Sequence, residues 1–103
     1  MKIKTIDVNA KEWFDRINGN SYFSGTVIID FGTNTQINYI MNPQYGYGDH
    51  YIDMAFQLLI QREVIEYNDN TCNTRMGRYC EQNNIILRTN IQRGCLKREV
   101  WNV

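Results

Sequence analysis

Asn42 to Glu66 reads NPQYGYGDHYIDMAFQLLIQREVIE, an aromatic loop spaced by glycines that runs directly into the longest apolar periodicity of the chain. Pro43 fixes its own φ and biases Asn42 away from helix, which predicts that the preceding strand stops there. Gly46 and Gly48 alternate with Tyr45 and Tyr47, a pattern that bends the backbone while large rings project sideways. Asp49 is placed to cap a helix, and Asp53 in its first turn suits the positive end of the helix dipole. From His50 onward Ile52, Ala55, Phe56, Leu59 and Ile60 recur at three- and four-residue spacing, so a core-facing helix is expected from about His50 to at least Arg62. Ile60, Val64 and Tyr67 keep that spacing and extend the expectation to about Glu66, with a short strand over residues 63–67 as the alternative, before the polar turn Asn68-Asp69-Asn70.

Upstream, Tyr22–Phe31 and Gln36–Met41 are rich in β-branched and aromatic residues and flank the turn-forming Gly32-Thr33-Asn34-Thr35. They predict an antiparallel hairpin with Phe23, Val27, Ile29 and Phe31 facing Ile37, Tyr39 and Met41 on one side, and Ile28 and Ile40 on the other. Further back, Lys2–Val8 reads as a short strand. Asn9 then reads as the cap of a helix over Ala10–Ile17, with Trp13, Phe14 and Ile17 in the core and Asn18-Gly19-Asn20 ending it.

Downstream, Thr74–Gln82 reads as a helix with Met76, Tyr79 and Cys80 inward and Gly77 as its weak point, closed by Asn83-Asn84. Ile85–Thr89 reads as a strand; in the tail from Gly94, Leu96, Val100 and Val103 favour a helix, while the Val100-Trp101 end would also suit a final strand. The order β-α-β-β-α-α-β-α makes an α+β fold: one domain over residues 1–103, an antiparallel hairpin-based sheet packed with two to four helices largely on one face.

Composition narrows the function classes. Of 103 residues, 43% are hydrophobic and 13% aromatic, which argues for a packed domain. No apolar run has membrane-spanning length, and the Met1-Lys2-Ile3-Lys4 start lacks the apolar core of a signal peptide, so a cytoplasmic location is expected. Cys72, Cys80 and Cys95 match neither a C-x-x-C pair nor a zinc knuckle, and reduced thiols are expected. The lone His50 with Asp49 and Asp53 would make at most a minimal hydrolase with a weak divalent site. Neither a cofactor nor a catalytic residue is assigned.

Net charge is zero, yet residues 42–70 carry five carboxylates against Arg62 alone, and residues 71–103 carry six cations against Glu81 and Glu99. Two binding surfaces follow. The ring cluster Tyr45, Tyr47 and Tyr51 with His50 suits a host protein or ribonucleoprotein, because tyrosine and arginine dominate interface hot spots. Arg75, Arg78, Arg88, Arg93 and Arg98 suit RNA or DNA, or an acidic protein surface.

VNAKEWFDRINGNSYFSG at 8–25, QYGYGDHYIDMA at 44–55 and IILRTNIQRGCLKREV at 85–100 resemble small bacteriophage and prophage proteins of gut-type bacteria, a group with no assigned activity. The resemblance implies a context in the cytoplasm of a bacterial host. Phage proteins of this size commonly bind and redirect host components, defence systems included, with anti-CRISPR proteins the prominent case. The expectation is therefore a non-catalytic binding protein that inhibits by occlusion, with a small nucleic-acid module as the alternative.

Overall fold

The computed structural model describes residues 2–69, 71 and 73–103; Asn70, at the end of the expected polar turn, and Cys72 lie outside them. Three strands come first: β1 (Thr5–Asp15), β2 (Asn20–Ile29) and β3 (Ile37–Tyr45). Two helices, α1 (His50–Gln61) and α2 (Met76–Gln82), then lead to β4 (Ile86–Gln92) and the short α3 (Lys97–Trp101). The sheet order is β3-β2-β1-β4, antiparallel in its first two pairings and parallel between β1 and β4. The α+β class holds, and the sheet is mixed rather than purely hairpin-based.

The largest departure from the sequence reading is β1. Residues 10–15, expected in a helix, continue the strand without interruption. The reason is its central place: β1 is paired along its length with β2 on one side and with β4 over Thr5–Lys11 on the other. Its alternation fits, since Ile6, Val8, Ala10 and Glu12 are buried between more exposed neighbours. Trp13 and Phe14, adjacent in sequence, therefore point to opposite faces instead of lying together in a core.

The β2/β3 hairpin forms as expected, with Val27 opposite Tyr39 and Gly25 opposite Met41. Phe31 is not on its inner face. Asp30 adopts φ +52°, which ends β2 at Ile29 and leaves Phe31 exposed. Nor does Pro43 stop β3. The register passes from Gly25–Met41 to Phe23–Gln44, so β3 spends three steps where β2 spends two, and the extra residue sits at Asn42-Pro43. A bulge on an edge strand is where a proline, with no amide to donate, is tolerated.

Helix α1 begins at His50 as read, but Asp49 holds the N-cap position without a side-chain hydrogen bond. The extension to Glu66 fails because Glu63 turns left-handed at φ +61°, and the amides of Val64 and Ile65 fold back onto the Leu59 carbonyl. Tyr51, Ala55, Phe56 and Leu59 form the buried stripe, while Ile52 and Ile60 are half-buried at its margins. Helix α2 starts at Met76, two residues later than expected, and Asn84 at φ +56° closes the turn before β4. Cys80 and Cys95 are free and buried, and burial pushes the Cys80 thiol up to about 11.

Helices α1 and α2 cover the sheet face that carries Ile6, Val8, Val27, Ile29 and Met41, and make one core with them. Helix α3 does not join them. Its contacts are to Trp13, Tyr22 and Ser24, which strand alternation places on the opposite face. Helices thus lie on both faces, with the second covered only at one end.

Asp30 ties the sheet together beneath this arrangement. Its carboxylate accepts the amides of Lys4 at 2.7 Å and Thr5 at 3.2 Å, and its own amide donates to the Thr5 carbonyl. The Lys4 amide is the main cause holding this carboxyl below its ordinary range, against an opposing burial effect. A folded-state pKa below the unfolded one contributes stability that is present at neutral pH and lost as pH falls through the carboxylate range. Asp30→Asn should therefore be less stable than the parent at pH 7, with the gap narrowing below about pH 4 in denaturant titrations. Leu59→Ala, at the centre of the α1 stripe, should cost about 2–5 kcal/mol by the same measurement.

Candidate functional site

Four aromatic rings meet at one end of the sheet, on the face that α1 and α2 leave open. Trp13 and Tyr22 are cross-strand partners and stack at 5.6 Å between centroids. Tyr22 is in turn opposite Tyr45 and meets its ring edge-on at 5.9 Å. Trp101 from α3 closes the cluster, edge-on to Trp13 at 5.9 Å and to Tyr22 at 5.5 Å. Such offset and edge-on arrangements match the ring quadrupoles and add to what burial alone contributes.

Lys97, one turn before Trp101, lays its ammonium over both indoles, 5.5 Å from the Trp13 centroid and 5.6 Å from that of Trp101. The Val100 side chain is fully buried, and its carbonyl accepts a hydrogen bond from the Ser24 hydroxyl. At the start of α3 the Leu96 amide donates to the Glu99 carboxylate at 2.9 Å. A helix of five residues cannot hold its shape by its own hydrogen bonds, so these contacts are what fix it.

The expected loop adjoins this cluster. Tyr45, Tyr47 and His50 are all exposed, Tyr47 at 69%. Gly46 is there for space: a Cβ on it would lie 2.6 Å from His50 Cδ2 and 2.7 Å from Phe23 Cε1. Its amide donates to the Ser21 carbonyl, which carries the β2/β3 pairing one step past Tyr45. Gly48, at φ +62°, serves the turn itself. Tyr51, expected at the same surface, is only 4% exposed and belongs to the core.

Close to the rings along the chain lie further exposed apolar side chains, Ile17 in the β1–β2 turn at 93% and Leu96 before α3; Phe14 is also exposed, but on the face opposite Trp13. Sequence reasoning missed Trp13, Tyr22, Trp101 and Lys97 as one unit. Asn18-Gly19 is a hairpin-turn signal that points to β1 and β2 as neighbours, but read as a two-residue turn it would set Trp13 opposite Ser24; the four-residue loop 16–19 is what sets Trp13 opposite Tyr22.

The arginines do not form one surface. Arg75, at the N-cap of α2, is bidentate to Asp53 of α1 at 2.8 and 3.3 Å. Arg88 on β4 is bidentate to Asp7 on β1 at 2.6 and 2.9 Å, and Arg93 reaches Glu12 at 2.6 Å. The carboxylates raise the pKa of Arg75 and Arg88 above its already high value, chiefly by accepting these hydrogen bonds. Arg78 and Arg98 are exposed and sit on different helices. With Asp53 engaged by Arg75, the His50, Asp49 and Asp53 set does not converge, and no group of three or more His, Cys, Asp or Glu among the described residues could hold a metal ion.

No family model matches this chain, and neither a curated protein nor a solved structure matches it significantly. The aromatic end therefore stands on its own geometry. If Lys97 clamps α3 through the two indoles, Lys97→Ala should loosen the helix by about 0.5–2 kcal/mol. Faster hydrogen exchange at the Val100 amide, with the exchange of β1 unchanged, is the expected readout.

Proposed function

We propose that this chain is a non-catalytic binding protein that occludes a surface on a host protein or ribonucleoprotein. This is the mode of action that small phage proteins direct at host components, defence systems among them, in the cytoplasm of a bacterial host. The observation that carries the reading is the aromatic end, where Tyr45, Tyr47, Trp101, Ile17 and Leu96 are exposed in and beside a scaffold of mutually packed rings. Monomeric domains rarely leave so many large apolar side chains together in solvent without a partner to cover them. Tyrosine and tryptophan are also the residues that concentrate binding energy at interfaces.

Electrostatics favours a protein partner over bare nucleic acid. A phosphate backbone needs several free cations in one stripe, whereas Arg75, Arg88 and Arg93 are each committed to an internal carboxylate. Arg16, Lys97 and Arg98 near the aromatic end give it a mixed rim beside Asp15 and Glu99, a pattern that suits a polar protein interface.

The test is a Tyr45→Ala, Tyr47→Ala double variant assayed by pull-down from bacterial lysate, with and without nuclease. It should melt within a few degrees of the parent, because both side chains are largely exposed. It should also lose its partner by roughly 30-fold or more, the equivalent of a hot-spot loss of about 2 kcal/mol. A variant that folds and binds normally would move the site elsewhere. Capture that disappears with nuclease would favour the nucleic-acid reading.

A further inference from the structure

The two edges of the sheet are not built alike. The β3 edge is blunted by Pro43 and by the bulge at Asn42-Pro43, both of which obstruct the addition of another strand. At the other edge, β4 runs through seven residues, Ile86–Gln92, in unbroken register with β1. It carries no proline, no bulge and no lysine, and no described strand lies beyond it. A regular open edge of this kind is a template for one more strand.

The centre of that edge, LRTNI at 87–91, is symmetric about Thr89 in its pattern of apolar and polar side chains, while the ends, Ile86 and Gln92, are not. Leu87 and Ile91 lie on the helix side of the sheet, packed against the core but only partly buried by it. In an antiparallel pairing of two β4 strands centred on Thr89, Leu87 of one copy stands opposite Ile91 of the other, twice over. Arg88 then stands opposite Asn90, and Thr89 opposite Thr89.

Alternative registers fare worse. A pairing that keeps each face on its own side must be centred on a residue. Centred on Arg88, it would set two guanidinium groups against each other; centred on Asn90, it would leave Leu87 without an apolar partner. In the Thr89 register the Arg88 charge of each copy is already met by its own Asp7. Beside Leu87 and Thr89, a groove of about 610 Å³ toward Arg75 and Arg78 leaves room for side chains from a second strand.

We infer that this chain pairs with a second copy of itself through β4, antiparallel and centred on Thr89, so that two four-stranded sheets become one of eight strands. The contact is isologous, with each copy presenting the same strand to the other, and it closes as a dimer. It covers the outer sides of Leu87 and Ile91 and leaves the aromatic end of each copy free. A contact made mainly by one strand from each copy is small, so association is expected to be concentration-dependent.

Sedimentation velocity on the full chain at about 100 µM, a concentration suited to a small interface, should show a species at twice the 12.2 kDa of one chain. Thr89 is exposed in the single copy, so Thr89→Lys and Thr89→Glu should each fold normally by circular dichroism and melting. Each variant alone sets like charges together on the symmetry axis and should sediment as a monomer. An equimolar mixture of the two sets opposite charges together and should recover the dimer. Wild-type protein that stays monomeric at this concentration would overturn the inference, as would a Thr89→Lys variant that dimerises like the parent. A mixture that remains monomeric would overturn the register centred on Thr89.

Discussion

The rest of the structure depends on the requirement that β1 satisfy two neighbours at once. Its backbone is paired with β2 on one edge and β4 on the other, so each residue from Ile6 to Lys11 has partners on both sides. Backbone polar groups in a sheet interior have few other places to go, and this fixes β1 as a strand whatever its local preferences. The closest approach comes at Gly25, where a Cβ would lie 2.0 Å from the Asn9 carbonyl oxygen. Only glycine fits there. One residue earlier, Ser24 turns to the other face and holds the Val100 carbonyl, and opposite this pair β3 takes its extra residue. The bulge, the glycine and the anchor of α3 are thus consequences of one tight strand crossing.

Charge reinforces the same strand. A parallel pair is slightly weaker per residue than an antiparallel one, and β4 reaches β1 only after two helices and a long excursion. Arg88 to Asp7 and Arg93 to Glu12 bracket that pairing, one on each face of the sheet, because Asp7 and Glu12 have opposite parity along β1. Exposed ion pairs contribute little stability singly. Their larger effect here is to penalise a slipped register, in which the guanidinium groups would lose their carboxylates. The charge asymmetry of the sequence is in good part an internal complement: Arg75 from the basic third answers Asp53 in the acidic one, and β1 supplies the other two acids.

How much was legible follows from how local each signal is. Helix α1, the β2/β3 hairpin and the turn at Asn83-Asn84 are encoded by spacing and turn residues within a short window, and all three form, although α1 stops at Gln61, β2 stops at Ile29 and β3 runs on to Tyr45. Residues 10–15 read as helix because Trp13, Phe14 and Ile17 match helical spacing, and pairing with β2 over all six, with β4 added as far as Lys11, overrides that local signal. The reach of Pro43 was misjudged for a related reason: a proline ends a central strand but not an edge strand, and edge or centre is a property of the whole sheet. Of the candidate site, Tyr45, Tyr47 and His50 were legible from the glycines between and before them. The ring cluster was not, since it joins residues 13, 22, 45 and 101 across three strands and a tail helix.

That cluster bears on why this end of the molecule is suited to binding. An exposed aromatic side chain on a free loop must surrender its rotamers when a partner immobilises it, a cost of about 0.5–1.5 kcal/mol for each ordered side chain. Tyr45 and Trp101 are already held, one against Tyr22 and the other between Trp13, Tyr22 and the Lys97 ammonium, while each keeps roughly half of its surface open. Their ordering cost was met when the sheet formed. Tyr47 and Ile17 lie outside these ring contacts, and a partner would have to fix them itself. The aromatic end therefore divides into a rigid centre of Tyr45 and Trp101 and an adaptable margin, the arrangement in which a few anchors carry the energy and the surrounding contacts exclude water.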